Sequence, residues 1–464
     1  MSVTTMKNKS TTVCENKGHI SVGIDIGTTT ISGVVYDIES KNQIEAYSIP
    51  HNSYVQSDIY SEQNALLIIE KTENLLYSIL DTYQNVISIG ITGQMHGIVY
   101  VDDDGKIVSN LMNWQDKRAD IPLENGKTTC QLIEEITKEK ISTGYGIATH
   151  CYNLTNKNVP QTAVGFCSIM DAFCMKICGL KKAITHTSVG ASFGLFDIEK
   201  GKFMEDKLSL LGIDLSFLPN VTDESVVVGS CRNISVSIPI GDNQASFLGS
   251  VQNNSDSILV NVGTGSQVSM VSHYCESNPE IEIRPFIEGK YLICGSALCG
   301  GFAYSMLENF FRSYVVSMGM EDKKQYDVIN RLATEGYENN EKGLNVEPFF
   351  CGKRSDPNVR GSINMIDRQN FTPTNLILGI LNGMCDELYE LYELFPKKRT
   401  VAVASGGGIK KNETLKKIIS KRFNTEVLTI QFKEEAAVGV ALFSAFAIKK
   451  IEYVDGFSNY LKYE

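Results

Sequence analysis

Ser21-Val22-Gly23-Ile24-Asp25-Ile26-Gly27-Thr28-Thr29-Thr30-Ile31-Ser32-Gly33-Val34-Val35-Tyr36-Asp37 is the stretch from which the fold is read. Val22, Ile24 and Ile26 form a short β-rich run, Gly27 to Thr30 a tight turn, and Ile31, Val34 and Val35 a returning strand. Asp25 falls where the first strand ends. Gly27 lets a ligand approach the backbone closely, and Thr28 and Thr29, with Thr30, offer hydroxyls and amides to phosphate oxygens. A carboxylate beside such a cradle suits a divalent cation lying between them, since Mg²⁺ takes one or two carboxylates together with water and phosphate oxygen. An ordinary β-hairpin, with Gly and Thr making only the turn, uses the same residues.

Residues 257–271, Ser-Ile-Leu-Val-Asn-Val-Gly-Thr-Gly-Ser-Gln-Val-Ser-Met-Val, repeat the pattern of strand, Gly-Thr turn and strand. Asn261 stands in the place of the carboxylate, so Gly263 and Thr264 can border a phosphate without a metal. Two such hairpins, one in each half, imply two similar domains facing each other across a nucleotide. The pairing resembles the actin-like ATPase superfamily.

The chain has 464 residues, 42% hydrophobic and 21% charged, with a formal net charge of −11. That is an ordinary soluble globular composition with enough apolar material for a substantial core, and the length fits two large α/β lobes. It carries no basic stripe, which argues against nucleic acid as a partner. Twelve cysteines without a CxxC pair read as reduced, packed thiols of a cytoplasmic protein, and Cys294 and Cys299 lack the His partners of a zinc site. No apolar run reaches 18 residues, and residues 1–17 are polar with no signal-peptide core, so no membrane partner is expected. The expected division is a tail at 1–18, a first lobe at 19–251 and a second at 252–464, joined by the polar linker 252–256.

Along the chain, 64–83 has the apolar spacing of an amphipathic helix and 86–91 of a strand, 163–178 has helical character, and 374–394 is a long amphipathic helix. Gly241 to Gln244 opens a helix running through Leu248. The double glycine Gly300-Gly301 stands at another helix entrance, and a last, buried helix begins near Glu434 and ends by Lys450. The acidic trio Asp102 to Asp104 lies on a hairpin turn and reads as solvated.

Several constellations carry chemistry. The strand 401–404 runs into Ser405-Gly406-Gly407-Gly408, leaving flat space beside backbone donors that suits an adenine ring or a phosphate; a plain tight turn has the same composition. Asp242 is the candidate general base, because a sugar hydroxyl attacking a γ-phosphorus must lose a proton. A helix N-terminus would favour its ionised form, and a mere N-cap is the alternative. Gln94, Met95, His96, Trp114, Gln115, Asp116 and Arg118 have the amides, carboxylate and aromatic face of a polyol pocket. The blander reading makes Trp114 a core residue and Asp116 and Arg118 a surface pair.

Taken in order, Asp25-Ile-Gly-Thr-Thr, Gly93-Gln-Met-His, Trp114-Gln-Asp-Lys-Arg, Gly241-Asp, Gly263-Thr-Gly, Gly300-Gly and Ser405-Gly-Gly-Gly followed by Asn412 resemble the FGGY carbohydrate kinases. The resemblance spans nearly everything from residue 20 to 450. It implies two ribonuclease-H-like lobes with a cleft between them that closes over substrate. It further implies ATP and Mg²⁺, with Asp25 assisting the metal and Asp242 as the base, each reaching Mg²⁺ through water. Gly27, Thr28, Thr29, Gly263 and Thr264 would border the phosphates, and Gly300, Gly407, Gly408 and Asn412 the adenosine. Gln94, Met95, His96, Trp114, Asp116 and Arg118 would meet the sugar. Within the family, the Gln-Met-His-Gly and Trp-Gln-Asp-x-Arg motifs, with 190–196 and 352–357, are most similar to sedoheptulose kinases. Xylulose kinases come next but usually carry Asn where Gln115 stands. A sugar-sensing relative without catalysis and a monomer or homodimer are also compatible. Lys353 departs from the family, which normally has Glu there.

Overall fold

The computed structural model describes residues 18–57, 59–275, 278–354, 356 and 358–464. Residues 1–17 of the expected tail, and Ser355 and Pro357 of the 352–357 motif, lie outside the described residues. Alternation at the start of the chain becomes the strands Ile20–Ile26 and Thr30–Asp37, paired antiparallel with Asp25 opposite Ser32. The amide of Gly27 donates to Thr30 O at 2.9 Å and closes the turn. Ile20–Ile26 also pairs in parallel with Val86–Gly93, setting Asp25 beside Thr92. The full order starts at Val227–Cys231 and continues through Ile234–Ser237, Val86–Gly93, Ile20–Ile26 and Thr30–Asp37 to Asn42–Pro50, with Ile240–Gly241 added on Val86–Gly93.

Helices cover both faces of this sheet, and alternation puts Ile20, Val22, Ile24 and Ile26 on one buried face of the strand and Ser21, Gly23 and Asp25 on the other. Helix Ala65–Thr82, capped by Asn64, packs where Gly33 meets Leu75 and Ile79. The opposite face takes helix Glu435–Ala447, whose sequence is apolar all round. A Cβ on Gly23 would lie 1.8 Å from Ala437 O and one on Gly90 2.0 Å from Val440 O, so the two glycines let the helix backbone rest directly on the strands. Beneath it, the hydroxyls of Ser21, Ser88 and Ser444 form a buried chain with 2.8 Å links.

The second unit repeats the theme. Ser257–Val262 pairs antiparallel with Ser266–Ser272 and parallel with Val401–Ser405, which pairs in parallel with Glu426–Thr429. Tyr291–Ala297 and Glu282–Pro285 extend the sheet beyond Ser266–Ser272. Helix Pro373–Glu393 lies in this unit, with Thr372 capping it and Pro at its first position. The compact units are not consecutive blocks of chain. Residues 284–291 and 432–461 belong with 18–252, while 253–283, 292–431 and 462–464 form the second unit. The glycine contacts of helix Glu435–Ala447 are the physical reason its segment returns to the first sheet.

The helix expected across 163–178 is shorter. Gly165–Cys167 is a strand paired with Val99–Val101, and the helix is Ile169–Cys178, begun by a Ser168–Asp171 capping box. Among the described residues, no helix is long and apolar enough to cross a membrane.

Candidate functional site

In the first unit, Val86–Gly93 is flanked on both sides by strands that end in a carboxylate. Asp25 is the register partner of Thr92 on one side, and Ile240–Gly241 pairs with Thr92 and Gly93 on the other, leading into Asp242. Thr92 Oγ1 donates to Ile240 O at 2.7 Å and fixes the short strand in place. Two strand spacings put the Asp25 and Ile240 backbones about 10 Å apart, and Asp242 follows two residues beyond Ile240. Asp242 opens helix Asp242–Leu248, whose cap position is Gly241, so Asp242 does not stand there as an N-cap. A Cβ on Gly241 would meet Gln244 Oε1 at 2.5 Å and Met95 Sδ at 2.6 Å, which accounts for the Gly-Asp pair.

Burial pushes the Asp25 carboxyl up to about 7, helped by the charges of Asp242 and Glu434. Its Oδ1 is shut off from solvent and has no hydrogen-bond partner. Asp242 is also raised, by burial, against the opposing pull of Arg284 and of hydrogen bonds from the amide and side chain of Asn243. Desolvation therefore outweighs the helix-end effect expected for it. Glu434 and Arg284 went unnamed as site residues in the sequence. Glu434 accepts a hydrogen bond from Ser32 at 2.7 Å, and Ser32 faces Asp25 across the strands. Arg284 arrives on a segment held to the Asp242 helix by Gln244 Nε2, which donates to Pro285 O at 2.8 Å. Nothing local in the sequence joins these residues to Asp25, since the sheet alone brings them together.

The sugar candidates share the first unit but differ in character. Trp114 is 46% exposed, so it is not a core residue, and its Nε1 donates to Thr28 Oγ1 at 3.0 Å. Gln94 is buried; its Nε2 donates to Gln63 at 2.9 Å, and its Oε1 has no partner. Met95 is buried near Asn243. His96 has φ of 70°, its Nδ1 lies 2.9 Å from Ser192 O, and its ring stacks on Tyr145 at 4.5 Å. Asp116 and Arg118 are buried, not a surface pair. Asp116 Oδ1 accepts from Arg118 N and Nε, and Oδ2 from Ser61 N and Arg118 Nη2. Arg118 also donates to Glu62 at 2.6 Å and Asn153 at 2.9 Å. Their hydrogen-bonding capacity is largely spent on the protein, so they brace the Trp114 loop.

In the second unit, Gly263 and Thr264 form an exposed turn docked onto the start of helix Gly301–Ser317. Gly301 N donates to Gly263 O at 2.8 Å and Phe302 N to Thr264 O at 2.9 Å. A Cβ on Gly300 would lie 2.5 Å from Gly265, so the double glycine is needed for the docking, and Gly300 itself is buried. Gly301, Gly407, Gly408 and Asn412 line a cavity of about 480 Å³ with Tyr304 and Tyr326, a volume within the range of small-molecule sites. Tyr304 and Tyr326 stack at 6.0 Å, and Tyr304 donates to Asn330 at 2.7 Å. Asn412 also caps helix Glu413–Phe423 through Leu415 N. Gly406, at φ of 84°, turns the chain into this wall.

Lys353, where the family usually has Glu, faces a carboxylate environment. It lies 4.0 Å from Glu390 and 4.1 Å from the centre of the Phe349 ring, and its charge opposes the burial that raises the Glu387 carboxyl.

Two α/β units with matching sheet orders and Gly-Thr turns define an actin-like ATPase fold. Residues 20–249 match the N-terminal domain and 260–448 the C-terminal domain of the FGGY family of carbohydrate kinases. The chain belongs to that family and is a phosphotransferase acting on an alcohol group. It is 23% identical to mouse (Mus musculus) sedoheptulokinase over 91% of this chain and 96% of the relative. It is 23% identical to a Staphylococcus epidermidis xylulose kinase, covering 92% and 88%. The gluconate kinase structure from Lactobacillus acidophilus superposes with a TM-score of 0.83 at 18% identity, covering 97% and 93%, which supports the fold.

Proposed function

We propose that the chain is an ATP-dependent ketose kinase that transfers a phosphoryl group to the terminal hydroxyl of sedoheptulose, giving the 7-phosphate. The observation that carries this reading is that Asp25 and Asp242 stand at the ends of two strands that flank Val86–Gly93, both desolvated. In the proposed reaction the sugar hydroxyl gives its proton to Asp242, its oxygen bonds the γ-phosphorus, and ADP departs with the electron pair of the broken bond. Pushing Asp242 upward makes it a stronger proton acceptor than an ordinary aspartate.

Asp25 fits Mg²⁺ bound through water, since its Oδ1 has no hydrogen-bond partner within the protein. Asp25 and Asp242 would hold the ion, which supplies neutralisation of phosphate charge. Gly27, Thr28, Thr29, Gly263 and Thr264 would present amides and hydroxyls to phosphates. Gly407, Gly408 and Asn412 would wall the adenosine, and Gly300 would fix the Thr264 turn. Trp114 would offer its face to sugar C–H groups and Gln94 its unused oxygen to a hydroxyl, with Met95 and His96 beside them. Asp116 and Arg118 would hold the Trp114 loop rather than carry a hydroxyl themselves.

Sedoheptulose is favoured over xylulose by Gln115, whose Oε1 accepts from Tyr54 at 2.8 Å, where xylulose kinases usually have Asn. Xylulose, giving the 5-phosphate, is the second reading, supported by the comparable match to a xylulose kinase. Retention of Asp242 speaks against a sensor without catalysis. Coupled ADP release over a panel of ketoses and polyols tests the proposal. Sedoheptulose should give the highest kcat/KM; xylulose or ribulose outperforming it would overturn the substrate while leaving the kinase intact.

A further inference from the structure

Gln63 is fully buried. It lies on the short strand Glu62–Gln63, which pairs with Tyr54–Val55 on one side and Leu111–Met112 on the other, so its backbone is held from both edges. Its Nε2 donates to Thr28 O at 2.7 Å, and its Oε1 accepts from Gln94 Nε2 at 2.9 Å. We propose that Gln63 is a positioning residue for the sugar, fixing the Gln94 amide with its oxygen toward a substrate hydroxyl while tying it to the Thr28 turn. The proposal rests on the reading above that Gln94 meets the sugar and Thr28 the phosphates.

Chemistry settles the direction of each bond. A backbone carbonyl only accepts, so Gln63 must present its amide N–H to Thr28 O. Its Oε1 then faces Gln94, which must present N–H in turn, and the same Gln94 Nε2 lies 3.4 Å from Gly27 O. Flipping either amide would set oxygen against oxygen. Gln94 Oε1 is thereby left as a buried acceptor with no partner in the protein. Only a donor satisfies it, so this subsite takes a hydroxyl and disfavours a keto oxygen or a carboxylate. At the other end, Thr28 is held at both its oxygens, the carbonyl by Gln63 and the hydroxyl by Trp114 Nε1 at 3.0 Å. Accepting from Trp114 leaves the Thr28 hydroxyl its own proton for a phosphate oxygen. One buried amide therefore orients the sugar's partner and steadies the turn beside the nucleotide, and a sugar hydroxyl that locks Gln94 also locks Thr28.

Steady-state kinetics with monodeoxy analogues of whichever ketose the substrate panel selects, altered away from the reacting carbon, tests this. A wrong sugar and a wrong relay then give separate results. In wild type, the analogue lacking the hydroxyl for Gln94 should lose roughly 10- to 100-fold in kcat/KM, because it leaves Oε1 buried and unpaired. Gln63→Met keeps the bulk of the side chain and removes both hydrogen bonds. Its Gln94 amide can turn, so the penalty on that analogue should shrink to under about threefold. The KM values for sugar and ATP should both rise roughly 10-fold, with kcat within about threefold. Gln63→Glu keeps the acceptor that pins Gln94 and should keep the penalty. Thermal unfolding followed by circular dichroism confirms that each variant is folded. Wild type that uses every monodeoxy analogue equally well overturns the proposal, whatever the variants do. So does a Gln63→Met enzyme with the full penalty and a lowered kcat, the mark of a packing role alone, or a Gln63→Glu enzyme that has lost the penalty.

Discussion

Gly439→Ala probes how the helix opened by Asp242 is held. A Cβ at 439 would lie 1.8 Å from Ala245 O and 2.8 Å from Gly249 N, both at the Asp242–Leu248 helix. Ordinary contact requires about 3.4 Å, so the two helices must part by about 1.5 Å or the side chain must overpack, which costs about 1–3 kcal/mol. Replacing a helical glycine recovers about 1 kcal/mol, leaving a net loss of up to about 2 kcal/mol. The functional effect should be larger than the stability effect. Asp242 begins the displaced helix, and a misplacement of about 1 Å costs on the order of 100-fold in rate. Thermal unfolding and steady-state ADP release on the same preparation give both numbers. Gly407→Ala is the comparator: a Cβ there meets nothing within 4 Å and projects at the cavity. It should leave unfolding unchanged and raise only the KM for ATP. A Gly439→Ala protein with wild-type melting and wild-type kcat would refute the reasoning.

Other expectations follow from buried charge. Burial pushes Glu387 up from 4.5 to about 7, with Lys353 opposing and Glu390 assisting. The folded protein then holds a proton that the unfolded chain has released between those values, so this group's contribution is complete below pH 4.5 and is lost as pH rises through 7. The swing is on the order of 3 kcal/mol. Glu387→Gln should therefore gain stability over wild type at pH 8 and little at pH 4.5, measured by chemical denaturation at both. Arg118→Met leaves Asp116 and Glu62 without their shared cation and should cost about 3–5 kcal/mol in the same assay, whereas a surface ion pair would cost under 1 kcal/mol.

Much of this fold is legible in the sequence because its decisive signals are local. The strand–turn–strand patterns at 20–37 and 257–272, the helix entered at Asp242 and the all-apolar helix ending near 448 each depend on neighbours in the chain. The Gly-Gly at 300 reads as a ligand wall; Gly301 does line the cavity, while Gly300 is buried against the Thr264 turn, a distinction set by a backbone contact some 35 residues upstream. Asp116 and Arg118 look like pocket groups because their chemistry suits a sugar, and only the arrival of Ser61, Glu62 and Asn153 shows that they are occupied. Glu434 and Arg284 carry no motif at all. They enter through chain segments that return to the first unit after the second has begun, and long-range return of this kind leaves no periodic trace. Gly165 to Cys167 was hidden within a helical pattern for the same reason, since its strand partner is 66 residues away.

The most direct test compares wild type with Asp242→Asn, which keeps the shape of the side chain and removes its ability to take a proton. ADP release should be sugar-dependent in wild type and fall by about 10²–10⁴-fold in the variant, while sugar binding, read from the fluorescence of the lone Trp114, stays nearly unchanged. Turnover retained by Asp242→Asn, or wild-type ATP hydrolysis indifferent to added sugar, would contradict the assignment of Asp242 as the base.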